Sequence, residues 1–187
     1  MNKSELRQLA IARRRGIDDA ARQSYSSAIT EKLIQYISQR DVKALLSYRA
    51  MNSEVNADSI FDLPDYQPYA PVTHHHEHME WRRIRPSSLW QPGLFGVDEP
   101  QDGELWQPNM AATLLICPLT GFDRRGNRLG MGKGCFDYWL ANHRSALQAV
   151  IGLAFSCQEM TAIPAEAHDI PMDVVITENE VIPCLNQ

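Results

Sequence analysis

Three consecutive pieces decide how this chain folds: ATLLICPL at residues 112–119, the connection TGFDRRGN at 120–127, and RLGMGKGCFDYWL at 128–140. The first is apolar on both faces, as expected of a strand buried in a parallel sheet. The last begins with Gly130, Gly132 and Gly134 at alternate positions and continues from about Cys135 as an amphipathic helix. Glycine adopts positive φ and lets a ligand approach the backbone closely. The N–H groups and positive dipole end at the start of the following helix suit an anion, and Arg128 and Lys133 add mobile positive charge. Neither common nucleotide fingerprint fits. A Walker A loop places its glycines differently and needs a hydroxyl where Gly134 stands, and a dinucleotide loop reads G-x-G-x-x-G. From its residues alone the loop is either a phosphate cradle or a tight strand-to-helix turn. Asp137, one turn into the helix, is placed to hold magnesium against phosphates.

Outward from this unit the chain alternates helices and apolar strands. NKSELRQLAIARRR has helix-forming composition with Ser4 as a candidate cap, and a second helix opens at Asp18 and Asp19. Ile29, Leu33, Ile34 and Ile37 mark the apolar face of the second helix. VKALLSY (42–48), MEWRRI (79–84), AVIGLAF (149–155), DVVIT (173–177) and EVIP (180–183) read as strands, the last two joined by a turn at Glu178 and Asn179. YQPYAPV (66–72) reads as an edge segment, because prolines interrupt it. Residues 86–108 form a proline- and glycine-rich excursion of the kind that often carries function. The class is α/β with a mainly parallel sheet, and 187 residues are expected to form one domain, 1–187.

A net charge of -5 excludes a global basic field for nucleic acid or anionic membrane. The arginines still cluster, at Arg13–Arg15, Arg82–Arg85 and Arg124–Arg128, which suits a small anionic ligand if these are not simply solvated faces. Four dispersed cysteines with no C-x-x-C pair argue against a zinc ribbon or a disulfide framework. No apolar run is long enough for a membrane span, and the N-terminus lacks an apolar signal core. The chain is expected to be cytoplasmic and monomeric, with no nucleic-acid or membrane partner.

Smaller features have two readings each. Lys3 and Arg7 share a helical face and could clamp a polyphosphate, or be ordinary solvated charges. HHHEH at 74–78 has metal-ligand composition, but reads as a solvated loop because adjacent residues seldom converge on one ion. Cys135 at a helix start reads as a packing residue rather than a reactive thiol. His168 by itself reads as a structural hydrogen-bonding residue, with a site role as its second reading.

Taken in order, KSELR near the start, SEV at 53–55, FGVDEP at 95–100, FDRRGNRLGMGKGCFDYWL at 122–140 and IPAEAHDIPMDVVITE at 163–178 resemble the 5-formyltetrahydrofolate cyclo-ligase family over almost the whole chain. The resemblance implies a three-layer α/β/α fold related to the ribose-phosphate isomerase and CoA-transferase group. It also implies conversion of 5-formyltetrahydrofolate to 5,10-methenyltetrahydrofolate with ATP and Mg2+. ATP binding falls on Lys3, Arg7, Arg128, Leu129, Gly130, Met131, Gly132, Lys133, Gly134, Cys135 and Phe136, with Arg128 and Lys133 as the catalytic cations. Asp137 and Asp169 are implied as magnesium ligands, and Glu54 and Arg49 lie on the folate side. Two positions differ from the family's pattern: Cys135 replaces an aromatic residue, and Arg49 replaces an apolar one. They motivate one alternative, a catalytically weakened homologue that binds folate as a buffer or sensor. A nicotinamide-dependent folate oxidoreductase is disfavoured by the glycine spacing, and no nucleophile elbow or Cys/His pair is present.

Overall fold

The central strands are buried on both faces, and the side chains that point alternately to each face build the layers. In a computed structural model describing residues 1–51, 53–110 and 112–185, the elements follow as α1 (Lys3–Arg15), α2 (Asp19–Ser38), β1 (Ala44–Leu46), β2 (Gln67–His75), β3 (His78–Arg83), β4 (Trp90–Pro92), β5 (Asp98–Pro100), β6 (Thr113–Pro118), β7 (Gly121–Phe122), β8 (Arg128–Leu129), α3 (Cys135–His143), β9 (Ala149–Leu153), β10 (Val174–Ile176) and β11 (Val181–Pro183). Successive strand residues point to opposite faces. Leu45, Leu114, Ile116, Ile151 and Ile176 therefore meet Ile29, Leu33 and Ile37 of α2 on one side. Leu46, Leu115, Cys117, Val150 and Val175 meet Trp139 and Leu140 of α3 on the other. Helix, sheet and helix make three layers around two apolar clusters, as the α/β/α expectation requires.

The main sheet has seven strands in the order β11-β10-β9-β6-β1-β2-β3. The five inner strands run parallel, and β3 and β11 close the two edges antiparallel. The proline-bearing segment is therefore an inner strand, contrary to the edge placement expected from its prolines. β1 supplies only three partners, ending at Leu46 opposite Tyr69, so Pro71 falls past the end of that ladder. On the other side Pro68 lies at the mouth of the β2–β3 hairpin, where its carbonyl still accepts from the Ile84 N–H at 2.8 Å.

Two further details differ from the sequence reading. The α1 cap is Asn2, whose side chain accepts from the Glu5 N–H while Glu5 accepts from the Asn2 N–H. This reciprocal box satisfies two helix-end donors, and Ser4 lies inside the helix. Among Arg13, Arg14 and Arg15, expected as a solvated face, Arg14 is buried and donates to the Leu119 carbonyl at 3.3 Å. Within the excursion at 86–108, β4 and β5 pair as a hairpin. No helix among the described residues is long and apolar enough to cross a membrane.

Candidate functional site

Strand order determines where a ligand can enter. From β1 the chain moves outward to β2 and β3, then returns to the opposite side of β1 with β6, β9 and β10. The loops leaving the carboxyl ends of β1 and β6 thus diverge, and such a switch point leaves a crevice where α/β sheets bind ligands. A cavity of about 540 Å³ opens there, lined by Tyr48, Arg49 and Glu54 after β1 and by Pro118, Leu119 and Thr120 at the end of β6. Every residue that the family resemblance assigns to the site lines this one cavity: Lys3, Arg7, Arg49, Glu54, the run 128–137 and Asp169.

Each reaches it for a local reason. Leu6 and Ala10 anchor α1 against Leu129, Met160 and Ile163. Lys3 and Arg7, four residues apart, then both line the cavity. The Arg7 Nε donates to the Gly130 carbonyl at 2.7 Å, and the Lys3 ammonium lies 2.6 Å from Asp169 and 3.2 Å from Glu166. Gly132 and Gly134 have φ of +90° and +74°, a region that other residues enter only at a cost. Gly134 caps α3 with no side-chain hydrogen bond, so no side chain of the cap competes for the first N–H groups of that helix.

Arg128 is the most enclosed cation of the site, its side chain 5% exposed and 2.6 Å from Asp137. Its Nε is buried without a hydrogen-bond partner. Arg7 and Lys133 form no ion pair among the described residues, and the Lys133 ammonium sits 5.8 Å from the ring centre of Phe95 in the β4–β5 turn. On the opposite wall Glu54 is buried and accepts from the Met51 N–H at 2.9 Å. Burial raises its pKa against the opposing effects of that hydrogen bond and of Arg14. Burial also disfavours the ionised form of Asp169, but Lys3 and the Glu166 N–H outweigh it and the net shift is downward. Arg49, the position out of pattern, forms an ion pair with Asp58 at 3.1 Å and lies 4.3 Å from the ring centre of Trp90.

The carboxylates and cations neutralise one another in this state: Asp137 with Arg128, and Asp169 with Lys3. Asp169 also joins Glu166 and His168 in a group whose ligand atoms lie within 4.8 Å of one another, whereas Asp137 belongs to no such group among the described residues. Cys135 is half-buried and packs on the core, and burial raises its thiol pKa, as a packing residue should show. His168 lines the cavity but is largely exposed, 3.1 Å from Glu166.

The sequence reading missed Tyr48, Phe95, Val97, Glu99 and Glu166 as lining residues, and Arg14 as the buried charge behind Glu54. FGVDEP carried a signal for three of them. Arg14 had none, being one of three consecutive arginines.

The chain is 28% identical over 156 residues to a 5-formyltetrahydrofolate cyclo-ligase of Haemophilus influenzae, covering 80% of this chain and 83% of that one. A 5-formyltetrahydrofolate cyclo-ligase of Mycolicibacterium smegmatis is 30% identical over 98% of this chain and 97% of its own. The solved 5,10-methenyltetrahydrofolate synthetase of Aquifex aeolicus superposes with a TM-score of 0.82 at 28% identity, covering 100% of this chain and 94% of that one. The sequence model of the 5-formyltetrahydrofolate cyclo-ligase family matches residues 1–178, and the chain belongs to that family.

Proposed function

We propose that this protein converts 5-formyltetrahydrofolate to 5,10-methenyltetrahydrofolate at the expense of ATP, releasing ADP and phosphate. The observation that carries the reading is that two unlike chemistries open onto one cavity. One wall is a glycine loop with the cations Lys3, Arg7, Arg128 and Lys133, and the other is apolar around the buried Glu54.

The residues fit a magnesium triphosphate. Arg128 carries an unpartnered buried N–H, Arg7 and Lys133 lack carboxylate partners among the described residues, and the loop presents bare backbone. Lys3, Arg7 and the run 128–136 would hold the phosphates, and Asp137 and Asp169 would hold the metal. Magnesium would supply charge neutralisation at the phosphoryl oxygens. Because the carboxylates are paired with cations, nucleotide and metal are expected to enter together, each releasing partners for the other.

A formamide oxygen is a poor leaving group, so closing the ring requires its activation. The formyl oxygen attacks the γ-phosphorus and ADP departs. N10 then adds to the activated carbon, the C–O bond breaks with loss of phosphate, and the N10 proton is released. This route needs positioning and charge stabilisation but no protein nucleophile. Arg128 and Lys133 would stabilise charge on the transferred group. Glu54 would accept from the pterin N–H donors, with Met79, Phe95 and Phe136 against the ring.

The test is to incubate purified protein with 5-formyltetrahydrofolate, ATP and magnesium and follow 5,10-methenyltetrahydrofolate optically. ATP-dependent product is expected. Folate binding without product would replace this reading with that of a folate buffer.

A further inference from the structure

The tip of the β2–β3 hairpin carries HHHEH, which the cyclo-ligase reading leaves unused. Its two strands join through a tight turn at His76 and Glu77, with His75 opposite His78. The register slips by one residue between Thr73 and His75, so His74 is the extra residue of a β-bulge. Bulges re-aim side chains, and this one sets the His74 ring beside that of His78, 4.7 Å between centres. Glu80, two residues beyond His78, points to the same face of its strand. One ligand atom from each of His74, His78 and Glu80 comes within 4.8 Å of the other two. The hairpin thus achieves a convergence that the linear run did not promise.

The carboxylate is held in place from behind. Arg82 donates to Glu80 Oε1 through Nε at 3.0 Å and Nη2 at 2.7 Å, and His74 Nε2 lies 3.4 Å from the same oxygen. Among the described residues no hydrogen bond or ion pair involves Oε2. Hydrogen-bonded support of a ligating carboxylate is a regular feature of metal sites. Two imidazoles and one carboxylate match borderline divalent ions, whereas magnesium takes oxygen ligands. None of the three residues lines the cavity described above; their neighbours Thr73 and Met79 do.

The geometry points to a transition-metal site formed by His74, His78 and Glu80, selective for an ion such as Zn2+ and separate from the nucleotide cavity. Three protein ligands leave the remaining coordination positions to water.

The test uses the full-length chain without an affinity tag. Calorimetric titration with Zn2+ in the presence of saturating Mg2+ is expected to show one ion per chain, and Co2+ a visible spectrum of low-symmetry nitrogen and oxygen coordination. H74Q and H78Q should each weaken binding by at least about tenfold, the loss that removing even an outer partner of a metal ligand brings. The double variant H75Q/H76Q tests for loose capture by any histidine run and should bind as the parent does. D169N and H168Q test for an ion held instead by Glu166, His168 and Asp169, and should leave the titration unchanged. Unchanged thermal unfolding of the metal-free variants establishes that the fold is intact. Absence of Zn2+ binding, equal loss in H75Q/H76Q, or loss in D169N or H168Q would each overturn the proposal.

Discussion

Replacing the loop glycines by alanine, one at a time, separates a phosphate cradle from a mere turn. At Gly132 and Gly134 the added methyl meets no hard obstacle. Its nearest neighbours are the Arg7 Cζ at 3.6 Å and the Tyr138 ring at 3.7 Å, so the cost arises from positive φ. A non-glycine residue pays about 1–2 kcal/mol there, partly offset by about 0.4–1 kcal/mol of lost unfolded-chain entropy. The net loss is about 1 kcal/mol, or about 2–4 °C in Tm for a chain of this size. At Gly130, whose φ is not positive, the methyl would lie 3.3 Å from the Nη1 of the enclosed Arg128, which must shift by a few tenths of an ångström, and no positive-φ cost is added. A phosphate kept from the loop N–H groups by a methyl loses at least one charge-assisted hydrogen bond. That loss is worth about 1.5–3 kcal/mol, roughly a ten- to hundredfold rise in KM for ATP. Thermal unfolding, nucleotide titration and steady-state kinetics at saturating folate measure both sides. If G132A and G134A lose the expected Tm while KM for ATP stays within about twofold, the loop only turns the chain and the nucleotide assignment falls.

Three other substitutions test neighbouring links. D137N should lower kcat by about a hundredfold or more at saturating magnesium, as loss of a preorganised electrostatic contact does. It should cost only about 1 kcal/mol of stability, because asparagine still accepts from Arg128; near-parental kcat would remove Asp137 from the metal site. E54Q should weaken folate binding yet stabilise the fold. The raised Glu54 pKa means that its stabilising contribution is complete below 4.5 and is lost as pH rises through the folded value. Glutamine mimics the protonated form, so the advantage of E54Q in urea unfolding should grow between pH 4 and pH 8, and a flat difference would contradict the burial argument. L115A, in the fully buried centre of β6, should cost about 2–5 kcal/mol and leave KM for ATP unaltered. A parallel change in KM would show that core packing transmits to the loop.

Much of the fold was legible because it rests on local patterns. Uniformly apolar runs marked β6 and β9, and Ile29, Leu33 and Ile37 marked the buried face of α2. The glycine loop was legible as unusual backbone, and the ordered motifs tied it to Lys3, Arg7 and Glu54. Placement within the sheet was not legible. Prolines in β2 argued for an edge, yet the strand is internal because β1 stops short of one proline and the chain at the end of β3 bonds the carbonyl of the other. Nor could three consecutive arginines reveal that Arg14 alone points inward. That outcome depends on which face of α1 Leu6 and Ala10 pin against Leu129.

Periodicity, glycine spacing and residue chemistry are properties of neighbours along the chain, so the sequence by itself determined the α/β class, the candidate phosphate loop and the family resemblance. Partnership between distant residues depends on topology and register, which only the folded chain supplies. The switch in strand order at β1 and β6 made one cavity of residues from 3 to 169. Within it, Asp137 is committed to Arg128 and Asp169 to Lys3. A one-residue bulge likewise turned HHHEH from a polar run into a convergent set with Glu80. These are contacts of geometry in space, and no local pattern encodes them.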